Sequence, residues 1–234
     1  MNQNHLTEIE YVKPADIEKR SFEIIGQELR KMNITLDPEQ EKITKRVIHT
    51  SADFEYASTL TYSEGAVSTA LGLLRGGADI VTDTNMAKAG ISRRALAKLG
   101  GEVHCFMADP DVAAEAKARG ITRAAVSMER ASKIGKPVII ACGNAPTALI
   151  SLHEMIREGV WKPDFVIGVP VGFVNVVAAK ELIMTDGVPY IVNRGRKGGS
   201  NVAAAICNAL IYILTEPEAH GWDLHRCGYR RRSV

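Results

Sequence analysis

Five short apolar runs recur between positions 79 and 194: "DIVTDT" (79–84), "EVHCF" (102–106), "PVIIAC" (137–142), "DFVIGV" (164–169) and "PYIVNR" (189–194). A helical stretch parts each from the next. Their length and β-branched content predict strands, and strands alternating with helices predict a parallel sheet. The runs are apolar almost throughout rather than at every second residue, so helices are expected on both faces of the sheet. The fold class that follows is α/β: a single doubly wound, three-layer α/β/α domain with a five-stranded, mainly parallel, flavodoxin-like sheet. Ligands in such a sheet bind beyond the C-terminal ends of the strands.

Residues about 14–76 read as extra N-terminal helices. One runs from about Pro14 to Met32. A second opens at "LDPEQEKI", with Asp37 as N-cap, Pro38 at the first helical position and Gln40 completing a capping box, and runs to about His49. Its apolar side is Ile43, Val47 and Ile48. A third, Ser63 to Arg75, stops at "GGA". These helices and the sheet place one domain at 1–217, which a chain with 46% hydrophobic residues can bury. After Pro217 the pattern ends, and 218–234 reads as a C-terminal tail.

No apolar run approaches the length of a membrane span, and the start "MNQNHLTEIE" lacks the basic and apolar blocks of a signal peptide. A cytoplasmic protein that does not engage membranes is expected. A formal charge of +2 gives no footprint for nucleic acid. Cys105, Cys142, Cys207 and Cys227 lie far apart without CxxC spacing, as reduced structural thiols do.

Three loops follow strands and open helices: "CGNAPTAL" (142–149), "GVPVGFVN" (168–175) and "NRGRKGGSN" (193–201). Glycine lets backbone N–H groups come close to a ligand, and helix N-termini favour negative charge, so together these loops predict an anion site. Arg194, Arg196 and Lys197 strengthen the last. No GxGxxG, GxxxxGK[ST] or GxSxG is present, which leaves dinucleotide, P-loop and hydrolase readings without support. "LHEMIR" (152–157) is half of an HExxH zinc motif with Arg at the deciding position, and His153 reads as a helix-surface residue. His220, His225 and Cys227 lack a matching second metal cluster, so no metal site is expected. His49 stands at a helix end, where a histidine usually serves the last carbonyls. Arg46 on the same side changes its character, because a guanidinium can hold a carboxylate while the histidine donates a proton beside it.

Five segments then resemble one family: "RSFEII" (20–25), "RVIH" (46–49), "GNAPTAL" (143–149), "GVPVGFV" (168–174) and "RGRKGGS" (194–200) resemble precorrin-8X methylmutase, also called cobalt-precorrin-8 methylmutase. The resemblance runs from about Ile9 to Ile213. It implies an isomerase of cobalamin biosynthesis that shifts a methyl group from C-11 to C-12 of (cobalt-)precorrin-8, giving hydrogenobyrinate or cobyrinate. His49 falls on the family's proton donor, and Ser21, Arg46 and Arg123 on its substrate contacts; Asn144, Thr147, Arg194 and Arg196 of the matching loops complete the substrate-binding set. No cofactor is implied, any cobalt belonging to the corrinoid substrate. The resemblance also implies a homodimer with substrate near the subunit interface. A non-catalytic tetrapyrrole carrier, or an α/β enzyme acting on a phosphorylated metabolite, would use similar arginines and loops.

Overall fold

The computed structural model describes residues 9–216. Expectations for the tail, including that His220, His225 and Cys227 hold no metal, fall outside the described residues. A 3₁₀ turn (Pro14–Asp16) leads into α1 (Ile17–Lys31), α2 (Glu41–Ser51) and α3 (Tyr56–Thr59). Next come β1 (Leu60–Tyr62), α4 (Ala66–Arg75), β2 (Asp79–Thr82), α5 (Asn85–Gly90), α6 (Arg93–Ala97) and β3 (Val103–His104). The chain continues through α7 (Pro110–Arg119), α8 (Arg123–Ala131), β4 (Val138–Cys142), α9 (Pro146–Arg157), β5 (Phe165–Gly168), α10 (Val176–Thr185), β6 (Tyr190–Asn193) and α11 (Ser200–Thr215).

All five expected strands form, and they pair in parallel. The sheet nevertheless has six strands, in the order β1-β6-β5-β4-β2-β3. The sixth is β1, inside the stretch read as helical. It runs antiparallel to β6, Leu60 opposite Asn193. Three residues are too few to display a period of two, and the pairing partner lies far along the chain.

Taken alone, the parallel strands lie in the flavodoxin-like order second-first-third-fourth-fifth, so the strand order reverses between β2 and β4. Successive strand residues alternate between two cores, as the pleat requires. Ile80, Ile139, Ala141, Phe165, Ile167 and Ile191 meet one core, which includes residues of α1, α2, α4 and α11. Val81, Ile140, Val166 and Val192 meet the other, with residues of α8, α9 and α10.

In α2, Ile43, Val47 and Ile48 are fully buried, as their spacing predicts. Asp37 does organise its N-terminus: its carboxylate accepts the Glu39 N–H at 2.8 Å and its carbonyl accepts those of Gln40 and Glu41. The regular helix begins only at Glu41, a turn later than read. At the other end the Ala52 N–H donates to the Ile48 carbonyl from a left-handed conformation (φ 54°), closing the helix just past His49.

Candidate active site

His49 is exposed on the last turn of α2. Its ring sits 5.4 Å from that of Phe22 on α1, tilted by 53°. Arg46, one turn earlier, lies between two aromatic faces, its guanidinium carbon 5.3 Å from the Phe22 centroid and 5.2 Å from that of Tyr212 on α11. The same guanidinium pairs with Glu18 of α1. The carboxylate that Arg46 was expected to hold is thus, in the free protein, the chain's own. Ser21, beside Phe22, donates its hydroxyl to the Ile17 carbonyl at 2.9 Å, which leaves the oxygen able to accept. Arg46 and His49 are therefore gathered around Phe22, and Ser21 precedes that residue on α1.

The three glycine loops do converge on one sheet edge, but they lock onto each other. The Val169 N–H donates to the Cys142 carbonyl, that of Val171 to Gly143, that of Gly172 to Arg196 and that of Gly199 to Val169. A Cβ on Gly143 would sit 2.8 Å from the Gly199 carbonyl oxygen, and one on Gly198 would collide with the Val169 carbonyl. These two glycines admit neighbouring loops, where the sequence predicted admission of a ligand. The end of α2 joins the same cluster: Lys197 Nζ lies 2.5 Å from Asp53 and 2.7 Å from Glu55, whose carboxylates hold its ammonium above the usual lysine range.

The backbone of the first loop is also already engaged. Asp83, just beyond β2 and 1% exposed, accepts the N–H groups of Gly143, Asn144 and Ala145 at 2.8, 2.7 and 2.6 Å. This carboxylate sits where the strand order reverses, so the N–H groups of Gly143, Asn144 and Ala145 are already taken. Asn144 is exposed and Thr147, in the first turn of α9, half-buried. Arg194 reaches Glu181 at 3.0 Å, and Arg196 lies over the Phe173 ring, 5.7 Å from its centroid. His153 is more than a surface residue: it pairs with Asp186 at the end of α10, 2.8 Å away.

Arg123 alone stands apart. It opens α8 beside the loop that follows β3, its guanidinium 3.4 Å from the Met107 carbonyl. In the strand order, β3 and β6 are separated by β2, β4 and β5, about 19 Å at about 4.8 Å per strand. The one chain does not bring Arg123 to His49. A cleft of about 420 Å³ near β3, lined by Asp79, His104, Phe106, Asp109, Arg130, Lys133 and Ile134, is likewise remote from His49.

A family model described as precorrin-8X methylmutase matches residues 16–213, the whole sheet and its helices. The chain belongs to the precorrin-8X methylmutase family. It is 43% identical over 199 residues to the cobalt-precorrin-8 methylmutase of Priestia megaterium, covering 85% of this chain and 88% of that one. With the cobalt-precorrin-8 methylmutase of Salmonella typhimurium it shares 42% over 210 residues, 87% of this chain and 97% of the other. The crystal structure of a precorrin-8X methylmutase from Thermus thermophilus superposes with a TM-score of 0.76 at 40% identity, over 85% of this chain and 96% of that one.

Several side chains of this methylmutase family member that shape the site escaped the sequence argument: Glu18, Asp83, Lys180 and Asn193. Only Lys180 left a trace, a lone cation on the buried stripe of α10 with Val176 and Ile183. It is fully buried, and its ammonium donates to the carbonyls of Gly195 and Lys197 at 2.8 Å each. Burial brings its pKa down from 10.5 to about 8, against a weaker opposing influence of Cys142. Between those two values the unfolded chain holds a proton on this lysine that the folded chain has released, so the contribution of Lys180 to stability rises with pH across that window. Thermal unfolding in buffers from pH 7 to 11 should show the wild type gaining stability relative to Lys180→Met as the pH rises.

Proposed function

We propose that the chain is an isomerase that carries out the reaction for which its family is named, moving the methyl group of (cobalt-)precorrin-8 from C-11 to C-12 to yield hydrogenobyrinate or cobyrinate. The observation that carries this reading is the family match across the whole described fold, with the "RVIH" segment presenting His49 to solvent at the end of α2. A methyl shift within one molecule needs no nucleophile. It needs a macrocycle held in one orientation and a donor that polarises the conjugated ring as the methyl moves. His49 is that donor in this account. Ser21 can accept a hydrogen bond from the substrate, while Asn144, Thr147, Arg194 and Arg196 face its carboxylate side chains from the loop edge. Arg46 takes a substrate carboxylate in place of Glu18, with the two flanking rings fixing its plane. The reaction as written consumes no redox or group-transfer cofactor, and cobalt, where present, arrives in the substrate.

The functional unit in this proposal is a homodimer. Two features support it: an exposed apolar group on the loop edge, Val171, Phe173 and Val174, of which Phe173 is 83% exposed, and the position of Arg123. A twofold partner can bring its own copy of Arg123 to the His49 end, which the chain by itself does not. Subunit mixing tests this. His49→Ala and Arg123→Ala proteins, each weak alone, should regain turnover after co-refolding, in proportion to the share of mixed dimers. No recovery would place both residues' work within one chain, or remove Arg123 from the site.

No helix among the described residues is long and apolar enough to cross a membrane. We infer a cytoplasmic enzyme that draws its substrate from solution. Turnover separates an enzyme from a carrier: catalytic amounts should change the absorption spectrum of excess precorrin-8 or cobalt-precorrin-8, whereas a carrier would bind without converting.

A further inference from the structure

Four consecutive peptide carbonyls in the loop after β6 are engaged, three of them by buried side chains and one by the neighbouring loop. Those of Gly195 and Lys197 accept from the Lys180 ammonium, those of Arg194 and Lys197 from the Asn193 side-chain amide at 3.2 and 2.9 Å, and that of Arg196 from the Gly172 N–H. Lys180 and Asn193 are both fully buried, and Asn193 is itself fixed by the Thr59 hydroxyl at 2.8 Å. No peptide bond among the described residues is cis. In a trans peptide the N–H points opposite to the carbonyl of the preceding residue. Carbonyls drawn inward at 194, 195 and 197 therefore drive the N–H groups of Gly195, Arg196 and Gly198 outward. Among the described residues none of these three donates to the protein, unlike the engaged N–H groups of the other two loops. Arg194 and Arg196, both exposed, rise from the same few residues.

We propose that Lys180, seconded by Asn193, is a positioning residue that holds the 194–198 loop with its N–H groups outward, forming a backbone cradle for a carboxylate of the corrinoid. This rests on the corrinoid reading above and assigns it a specific anchor. A lysine suits the task because one compact ammonium can satisfy several carbonyls at once while carrying positive charge beneath the loop. Such a buried cation on a helix stripe is otherwise unfavourable, and a methionine would fill the same space.

The test compares cobyrinate with its fully methyl-esterified form as ligands of the wild type, Lys180→Met and Lys180→Gln. Lys180→Met should weaken cobyrinate binding about tenfold or more and raise KM with little change in kcat, while the ester binds both proteins alike. Lys180→Gln, which keeps an amide donor, should recover part of the loss. A role confined to stability would lower Tm and shift both ligands equally. Hydrogen exchange on the wild type provides a check that needs no variant: the amides of Gly195, Arg196 and Gly198 should exchange fast in the free protein and slow in the cobyrinate complex. Unchanged cobyrinate affinity in folded Lys180→Met, or fast exchange at those amides in the saturated complex, overturns the cradle alone. Absence of cobyrinate binding by the wild type overturns the corrinoid reading, and the cradle with it.

Discussion

His49→Ala should slow methyl migration by about 10²–10⁴-fold, the usual cost of losing a positioned general acid, while leaving the fold and most corrinoid affinity in place. His49 is exposed with its ring near Phe22, whereas the packing of α2 is carried by the fully buried Ile43, Val47 and Ile48. Removing the imidazole opens no cavity. His49→Gln divides the mechanism further, since its amide can donate a hydrogen bond but cannot transfer a proton at neutral pH. Near-normal turnover in the glutamine variant with little in the alanine variant would show that hydrogen bonding suffices; loss in both supports proton transfer. Wild-type turnover in His49→Ala would return this residue to a helix-end role.

The largest effect on stability belongs to Asp83. Its carboxylate is the acceptor for three successive backbone N–H groups and also lies 3.4 Å from the Cys142 sulfur. The buried thiol has its pKa raised well above the ordinary cysteine value, first by burial and then by the Asp83 charge, so it remains protonated and inert. Asp83→Ala strands three donors, each costing about 1–3 kcal/mol when left unmet. Stability should fall by about 3 kcal/mol or more, a drop in Tm of about 6–12 °C for a chain of this size. Asp83→Asn should fall between the two, because one amide oxygen replaces two acceptors and its NH₂ faces other donors. Calorimetry reads both. A wild-type Tm in Asp83→Ala would mean that the crossing between β2 and β4 is held by other contacts.

Much of the fold is legible because parallel strands buried on both faces write themselves as continuous apolar runs, and all five such runs are strands. β1 is not, since a three-residue edge strand gains its identity from β6 rather than from its own pattern. That His49 stands near a helix end with Arg46 one turn before it could be read, because such an end is marked by local chemistry. The partners that define the site could not. Glu18 reaches Arg46 across two helices, and Asp83 reaches the 143–145 loop only because β4 lies beside β2. The glycines at 143 and 198 carry an ambiguous signal: absence of a side chain reads the same whether a ligand or a neighbouring loop comes close. The position of Arg123 depends on strand order, which no motif encodes, so its distance from His49 emerges only once the sheet is assembled.

The most direct measurement follows the methyl group itself. Precorrin-8 carrying ¹³C in its C-11 methyl, incubated with catalytic amounts of the wild-type protein, should lose that resonance and gain one at the C-12 methyl of hydrogenobyrinate, with His49→Ala slowing the change. A label that stays at C-11 while the corrinoid is bound would contradict the account and leave the protein a carrier of tetrapyrroles.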